Sequence, residues 1–95
     1  MEQKATITAL VVTYNAERFI QGCLESVKWA DEIILVDMLS SDNTVEIARR
    51  YTDKIFLERE KNHEIRTNIG IDKSTSDWIL KVNATERITV ALKNE

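Results

Sequence analysis

The strongest structural signal in this chain is the run Glu32-Ile33-Ile34-Leu35-Val36-Asp37. Four consecutive apolar residues of this kind are typical of a short strand that is buried on both faces, as the strands of parallel sheets are. The run ends in an acid, and after two further residues the polar loop Ser40-Ser41-Asp42-Asn43 follows. Polar clusters of this composition mark the end of an element. We therefore predict a buried parallel strand over residues 32–37.

Strand and helix patterns alternate on both sides of this run. The other strands are short apolar runs, and the helices show apolar residues at helical spacing opposite charged ones. Four strands separated by three helices imply right-handed crossovers and a parallel sheet with helices on its faces, so the predicted fold class is α/β. The predicted strands are 6–13, 32–37, 54–57 and 78–82, and the predicted helices are 16–29, 43–51 and one that begins at Asn62.

Each predicted helix follows a residue whose side chain can accept a hydrogen bond from an amide of the first turn. Asn15 is expected to cap the first helix, Ser41 or Asp42 the second, and Asn62 the third.

Length and composition narrow the class of protein. Ninety-five residues form one domain, 1–95, and 13 basic against 16 acidic residues give a charge of −3, which excludes a general binder of nucleic acid. A single cysteine, Cys23, cannot form an intrachain disulfide, which fits a cytoplasmic setting. The longest apolar stretch, 9–12, is far shorter than the roughly 20 residues of a membrane span.

Ligands of such sheets bind at the carboxyl ends of the strands, so the residues after each strand are the candidate site. Thr13, Tyr14, Asn15 and Glu17 follow the first strand, and Asp37 ends the second. Tyr14 is suited to stack on a base, and the Asp37 carboxylate to accept from a base imide or a ribose hydroxyl. The alternative is structural: Asn15 caps a helix, Tyr14 covers the sheet end, and Asp37 forms a turn.

Several motifs, in order and spacing, resemble the N-terminal half of a family 2 glycosyltransferase. The resemblance covers almost the whole chain, which makes it far more specific than any single motif. The segments that carry it are 11–17, 23–27, 31–37, 40–48, Arg66, Asn68, 77–80 and 86–89.

This resemblance implies the nucleotide-binding half of the GT-A fold, a three-layer Rossmann-like half-domain with strand order 3-2-1-4. The implied partner is a nucleotide diphosphate sugar, and the implied reaction is transfer of its sugar to an acceptor. The residues that match the family's nucleotide pocket are Thr13, Tyr14, Asn15, Glu17, Asp37 and Arg66.

Two segments depart from the family's pattern. Met38-Leu39 stands where the family has an acid or hydroxyl residue followed by glycine. Asn83 and Thr85 replace the two acids of the Asp-x-Asp motif, which holds Mg²⁺ or Mn²⁺ in the family. An amide and a hydroxyl lack the charge that a hard cation needs, so we expect no metal and no other cofactor despite Glu86.

The resemblance also places the acceptor pocket and the catalytic base beyond Glu95, so catalytic residues stay unassigned and we expect weak or no transferase activity in this form. Lys81 interrupts the apolar pattern of the last strand, as a charge does on an edge strand. The alternative is a non-catalytic, engineered or degenerate fragment that folds alone or acts as an interaction module. Exposed sheet surface favours a homodimer through the sheet edge or face.

A receiver-like signalling domain is a further alternative, because Asp37 ends a strand in a similar alternation. It is disfavoured because Thr13-Tyr14-Asn15 supplies none of the additional acids that such a domain needs for Mg²⁺.

Overall fold

Strands and helices alternate through most of the chain, and two strands in succession close the described element order. The computed structural model describes residues 5–83 and 88–92, with side chains described up to residue 82. The elements are β1 (Ile7–Thr13), α1 (Glu17–Val27), β2 (Glu32–Asp37), α2 (Thr44–Ala48), β3 (Ile55–Leu57), α3 (His63–Lys73), β4 (Trp78–Asn83) and β5 (Ile88–Leu92).

The sheet has the order β3-β2-β1-β4-β5. The pairs β1–β2, β1–β4 and β2–β3 are parallel, which confirms the four predicted strands, their order 3-2-1-4 and the α/β class. β5 was missed, and it runs antiparallel to β4. Antiparallel neighbours can be joined by a short connection. The sequence pattern predicts only strands that are separated by helices, and β5 was therefore not predicted.

Because β5 pairs with β4, the interpretation of Lys81 as an edge residue is wrong. Lys81 lies opposite Leu10 in β1 and opposite Thr89 in β5. β3 and β5 form the edges of the described sheet. The homodimer stays a prediction, and any pairing through an edge would have to use β3 or β5 rather than β4.

The two faces of the sheet carry separate apolar clusters, because successive strand residues point to opposite faces. Ala9 and Val11 face α1 and α2, whose residues Ile20, Leu24 and Ala48 complete that cluster. The opposite cluster contains Leu10, Val12, Ile34, Val36 and Ile79, with Ile71 of α3 packed against it. The molecule is therefore three-layered, with the sheet between α1 and α2 on one side and α3 on the other.

The helices are shorter than their sequence patterns. α2 was expected to continue to Tyr51, but beyond Ala48 the amides of Arg50 and Tyr51 bond carbonyls three residues back, and this tighter winding ends the α-helix. Asn62 caps α3 as predicted, since its side chain accepts from the Ile65 amide. None of the described helices is long and apolar enough to cross a membrane.

Candidate functional site

The candidate site lies at the carboxyl ends of β1 and β2. These strands are parallel neighbours, and Thr13 lies directly opposite Asp37 in their register. Since both strands end at the same edge of the sheet, the loops that follow them meet there. The structure therefore brings the residues predicted after β1 together with the acid predicted after β2.

Asp37 is the buried centre of this region, with no exposed surface. Its Oδ1 accepts from the Thr13 hydroxyl at 2.7 Å and from the Ser40 hydroxyl at 2.6 Å. Its Oδ2 accepts from the Ser40 amide at 2.7 Å. A buried carboxylate is costly unless several donors satisfy it, and these three donors do so. Asp37 thus organises the turn, and its contact with a ligand stays a prediction.

Asn15 links the two loops. Its backbone amide donates to the Ser40 hydroxyl at 2.8 Å, and its side-chain Oδ1 accepts from the Ser41 backbone amide at 2.8 Å. The prediction that Asn15 caps α1 is wrong, because Ala16 occupies the N-cap position. The side-chain oxygen that would have capped the helix is used across the two loops instead. Asn15 has a positive φ of 47°, a conformation that asparagine tolerates better than most residues.

Residues at the start of α1 hydrogen-bond to residues at the start of α2 and in the loop before it. The Glu17 amide donates to Asp42 Oδ2 at 3.1 Å, and the Asn43 amide donates to Glu17 Oε1 at 2.9 Å. The Ala16 amide donates to the Thr44 hydroxyl at 2.9 Å. Carboxylates at helix N-termini are favourable because unpaired amides and the helix dipole both attract them. We call residues 13–17 and 37–44, which exchange these hydrogen bonds, the loop clasp.

Asp42 also holds the start of α2 from within its own loop. Its Oδ1 accepts from the amide and hydroxyl of Thr44, while Asn43 occupies the N-cap position without a side-chain cap. The hydroxyl hydrogen bond from Thr44 is the main cause of the lowered pKa of the Asp42 carboxyl. The N-cap position of α2 is thus Asn43 rather than Ser41 or Asp42, while Asp42 supplies the side-chain oxygen that accepts from the first amide of the helix.

Two large side chains of the loop clasp are open to solvent. Tyr14 is 52% exposed, and Leu39 is 47% exposed. Tyr14 stands between Thr13 and Asn15, both of which are fixed by hydrogen bonds to the second loop. The clasp therefore presents an aromatic ring from a firmly held stretch of backbone.

Arg66 approaches the same place from α3. It is only 7% exposed, and its Nη1 donates to the Thr13 carbonyl at 3.3 Å. Its Nε is buried without a hydrogen-bond partner in the part of the chain that the structure describes. All six predicted residues thus lie in or against the loop clasp, and their contact with a ligand stays a prediction.

Ser40 and Thr44 belong to this arrangement although neither was selected from the sequence. The signal was the density of serine, threonine, aspartate and asparagine over residues 40–44, since these residues bond nearby backbone groups. The sequence could not show that their partners come from the loop after β1, because that depends on the register of β1 and β2.

The family's metal positions fall at Asn83 and Thr85. The Asn83 side chain, Thr85 and Glu86 lie outside the described side chains. The described residues hold no group of three or more His, Cys, Asp or Glu side chains placed around a common point. Neutral amide and hydroxyl oxygens hold a hard divalent cation more weakly than the two carboxylates they replace, so Asn83 and Thr85 are a poor fit to Mg²⁺ or Mn²⁺.

Known proteins are similar to this chain in sequence and in fold. The lipopolysaccharide core biosynthesis glycosyltransferase LpsC of Rhizobium meliloti is 24% identical over 98% of this chain and 36% of its own length. The chain spans between a fifth and about a third of the length of curated relatives that it matches.

Two crystal structures have the same fold over most of the chain. TarS (residues 1–349) of S. aureus superimposes with a TM-score of 0.74 at 23% identity, covering 83% of this chain and 27% of that 1–349 segment. Glucosyl-3-phosphoglycerate synthase of Mycobacterium tuberculosis, in complex with Mn²⁺, UDP and glucosyl-3-phosphoglycerate, has a TM-score of 0.74 at 16% identity, covering 84% and 33%. The model of glycosyl transferase family 2 matches residues 8–84, and the chain therefore belongs to this family.

Proposed function

We propose that this domain binds the nucleoside of a nucleotide diphosphate sugar at the loop clasp, as the donor-binding part of a family 2 glycosyltransferase. The observation that carries the proposal is the exposed Tyr14 ring, presented between two hydrogen-bonded residues at the carboxyl ends of β1 and β2. A firmly held aromatic face offers a stacking surface for a base at little cost in entropy. The solved relative from Mycobacterium tuberculosis, which binds UDP, supports a nucleotide as the ligand.

Arg66 supports the same proposal from the other side of β1. A buried guanidinium with an unpaired Nε is costly, because its charge and its donors have been removed from water. A ligand oxygen that reached this nitrogen would satisfy it. Arg66 would then hold both the Thr13 carbonyl and the ligand, so that protein and nucleotide share one cation.

Transfer of the sugar is a further step, and we expect it to be weak or absent in this form. It needs a general base and a stabiliser of the leaving diphosphate. At the positions where the family carries cation-binding acids, this chain has Asn83 and Thr85. The domain is therefore proposed to bind the donor rather than to turn it over.

Titration with UDP, GDP and UDP-glucose, followed by amide NMR shifts and calorimetry, tests this proposal. We expect saturable shifts in residues 13–17 and 37–44, with little change when Mn²⁺ is added. Tyr14→Ala should weaken binding by about 5- to 150-fold, since stacking of one base on an aromatic ring contributes about 1–3 kcal/mol. Trp29→Ala is the matched control, because Trp29 is 60% exposed but follows α1 at the opposite end of the sheet.

Two results would contradict parts of the proposal. If millimolar nucleotide shifts no clasp amide, the donor-binding function fails and the alternative of a non-catalytic interaction module is favoured. If Mn²⁺ strengthens UDP binding several-fold, the expectation that residues 83–86 hold no cation is wrong.

A further inference from the structure

We propose that Ser40 is a positioning residue, whose hydroxyl transfers the fixed position of buried Asp37 to the backbone of Asn15 and so holds Tyr14 in place. The inference rests on the proposed function for its consequence in nucleotide binding. Its structural part, the immobilisation of Tyr14 and Asn15 by Ser40, is measurable without any ligand.

The direction of the hydrogen bonds through Ser40 follows from the chemistry of its neighbours. The backbone amide nitrogen of Asn15 lies 2.8 Å from Ser40 Oγ, and a backbone N–H can only donate. Ser40 Oγ must accept there, which leaves its single proton for Asp37 Oδ1 at 2.6 Å. The chain of bonds therefore runs from Asn15 through Ser40 to Asp37, and no other described residue joins Asp37 to Asn15 in this way.

The residue before Tyr14 is fixed independently. The Thr13 hydroxyl donates to Asp37, and the Thr13 carbonyl accepts from the Met38 amide at 3.0 Å and from Arg66 at 3.3 Å. On this side Tyr14 has three anchors. On the other side the backbone amide of Asn15 has one anchor, the Ser40 hydroxyl. The Asn15 side chain separately accepts from the Ser41 amide.

The conformation of Asn15 makes the single amide anchor important. With φ at 47°, Asn15 adopts a backbone conformation that an isolated chain visits only as a minor state. When the anchor is removed, the Asn15 backbone is expected to relax toward negative φ. That rotation would move Tyr14 relative to Arg66, which stays bonded to Thr13.

The test compares Ser40→Ala with Ser40→Thr, which keeps the hydroxyl, and with Ser41→Ala. Ser41 is a matched control because its amide makes the bond to Asn15 Oδ1, whereas its hydroxyl approaches that oxygen only at 3.4 Å. Without ligand, Ser40→Ala should accelerate hydrogen exchange of the Asn15 amide at least tenfold and increase the backbone mobility of Tyr14. The β1 amides should exchange as in the wild type, which shows that the sheet is intact.

With UDP added, Ser40→Ala should weaken binding by about tenfold, and Tyr14→Ala should weaken it little further in the double variant, because both changes remove one stacking surface. Ser40→Thr, which keeps the hydroxyl, should recover most of the wild-type affinity, and Ser41→Ala should leave the hydrogen exchange of the Asn15 amide as in the wild type. Unchanged Asn15 exchange in Ser40→Ala overturns the inference, as does an unchanged UDP affinity when the wild type binds.

The two proposals fail separately. A wild type that binds no nucleotide ends the proposed function, while the exchange experiment still decides whether Ser40 holds Asn15. If Ser40→Ala does not fold, Ser40→Cys takes its place, because a thiol is a weaker acceptor for the Asn15 amide; equal exchange in Ser40→Cys and wild type then overturns the inference.

Discussion

Leu39 shows how one residue can be held in an unfavourable conformation by its neighbours. Its φ is 51°, where the β-carbon of an L-residue crowds the following carbonyl at a cost of about 1–2 kcal/mol. The residue after it bonds Asp37 through both amide and hydroxyl. Those bonds close the turn around Leu39 and offset the strain.

Substitution of Leu39 should therefore depend on backbone preference more than on side-chain size. We expect Leu39→Val to lower the free energy of unfolding by about 1–2 kcal/mol, since a β-branched residue is poorly tolerated at positive φ. Leu39→Gly should be more stable than Leu39→Val, measured by urea denaturation. The control is Leu57→Val, because Leu57 is a similarly exposed leucine in β3. Equal losses at positions 39 and 57 would contradict the argument from strain.

The sequence indicated this position but not the means by which it is held. The family resemblance expects glycine at residue 39, which agrees with the positive φ found there. Ser40 and Asn15 were harder to interpret, because a hydroxyl or an amide side chain has several local partners available. Which of them is used depends on two loops that meet only after β1 and β2 have paired.

At the scale of helices and strands, apolar runs were more informative than end signals. β1 and β2 were predicted closely because their apolar runs are buried from end to end. The start of α1 was predicted with the wrong cap, since its amides bond Asp42 and Thr44 of the other loop. The spacing of apolar residues predicts which face of a helix is buried, whereas the ends of the helix depend on its tertiary neighbours.

The two glycines of the chain lie in helices with opposite surroundings. Gly22 in α1 is exposed, and an added β-carbon would meet nothing within 4 Å. Gly70 in α3 is buried, and an added β-carbon would lie 2.2 Å from Leu10 Cδ1. Leu10 is itself fully buried beneath α3, so it has little room to move away.

The same substitution at these glycines should have opposite effects. Gly22→Ala is expected to raise the free energy of unfolding by about 0.5–1 kcal/mol, because alanine is the better helix former. Gly70→Ala gains the same propensity but overpacks the core, and a net loss of about 1–3 kcal/mol is expected. Chemical denaturation of both variants provides the measurement, with each variant the control for the other. A gain at both positions would show that α3 moves away from the sheet at low cost.

On the scale of the whole molecule, polar groups tie the layers together at both ends of the sheet. The loop clasp does so at the carboxyl ends of the strands. At the amino ends, buried Glu32 of β2 accepts from the Thr8 hydroxyl at 2.6 Å, from the Thr75 amide at 3.2 Å and from Lys54. The Ser74 hydroxyl extends this network by donating to Thr8 at 2.9 Å. One carboxylate therefore joins β1 and β2 to the segments that enter β3 and β4.

This network makes the free energy of unfolding of the domain depend on pH. Burial alone would raise the pKa of Glu32, but hydrogen bonds from Lys54, Thr8 and the Thr75 amide outweigh it and lower the pKa to about 2. An unfolded glutamate titrates near pH 4.3. Because the folded pKa is the lower one, the stabilisation is fully present above that pH and is lost as the pH falls toward 2.

We expect the wild type to lose about 2 kcal/mol of unfolding free energy through Glu32 alone between pH 7 and pH 3. Glu32→Gln should be less stable at pH 7 but should lack this part of the loss, so the two stabilities converge as acid is added. Urea denaturation across the range measures both. Glu46→Gln, which removes one carboxylate from an exposed residue of α2, should follow the wild-type curve. If wild type and Glu32→Gln stay parallel down to pH 3, the buried network does not carry the acid sensitivity.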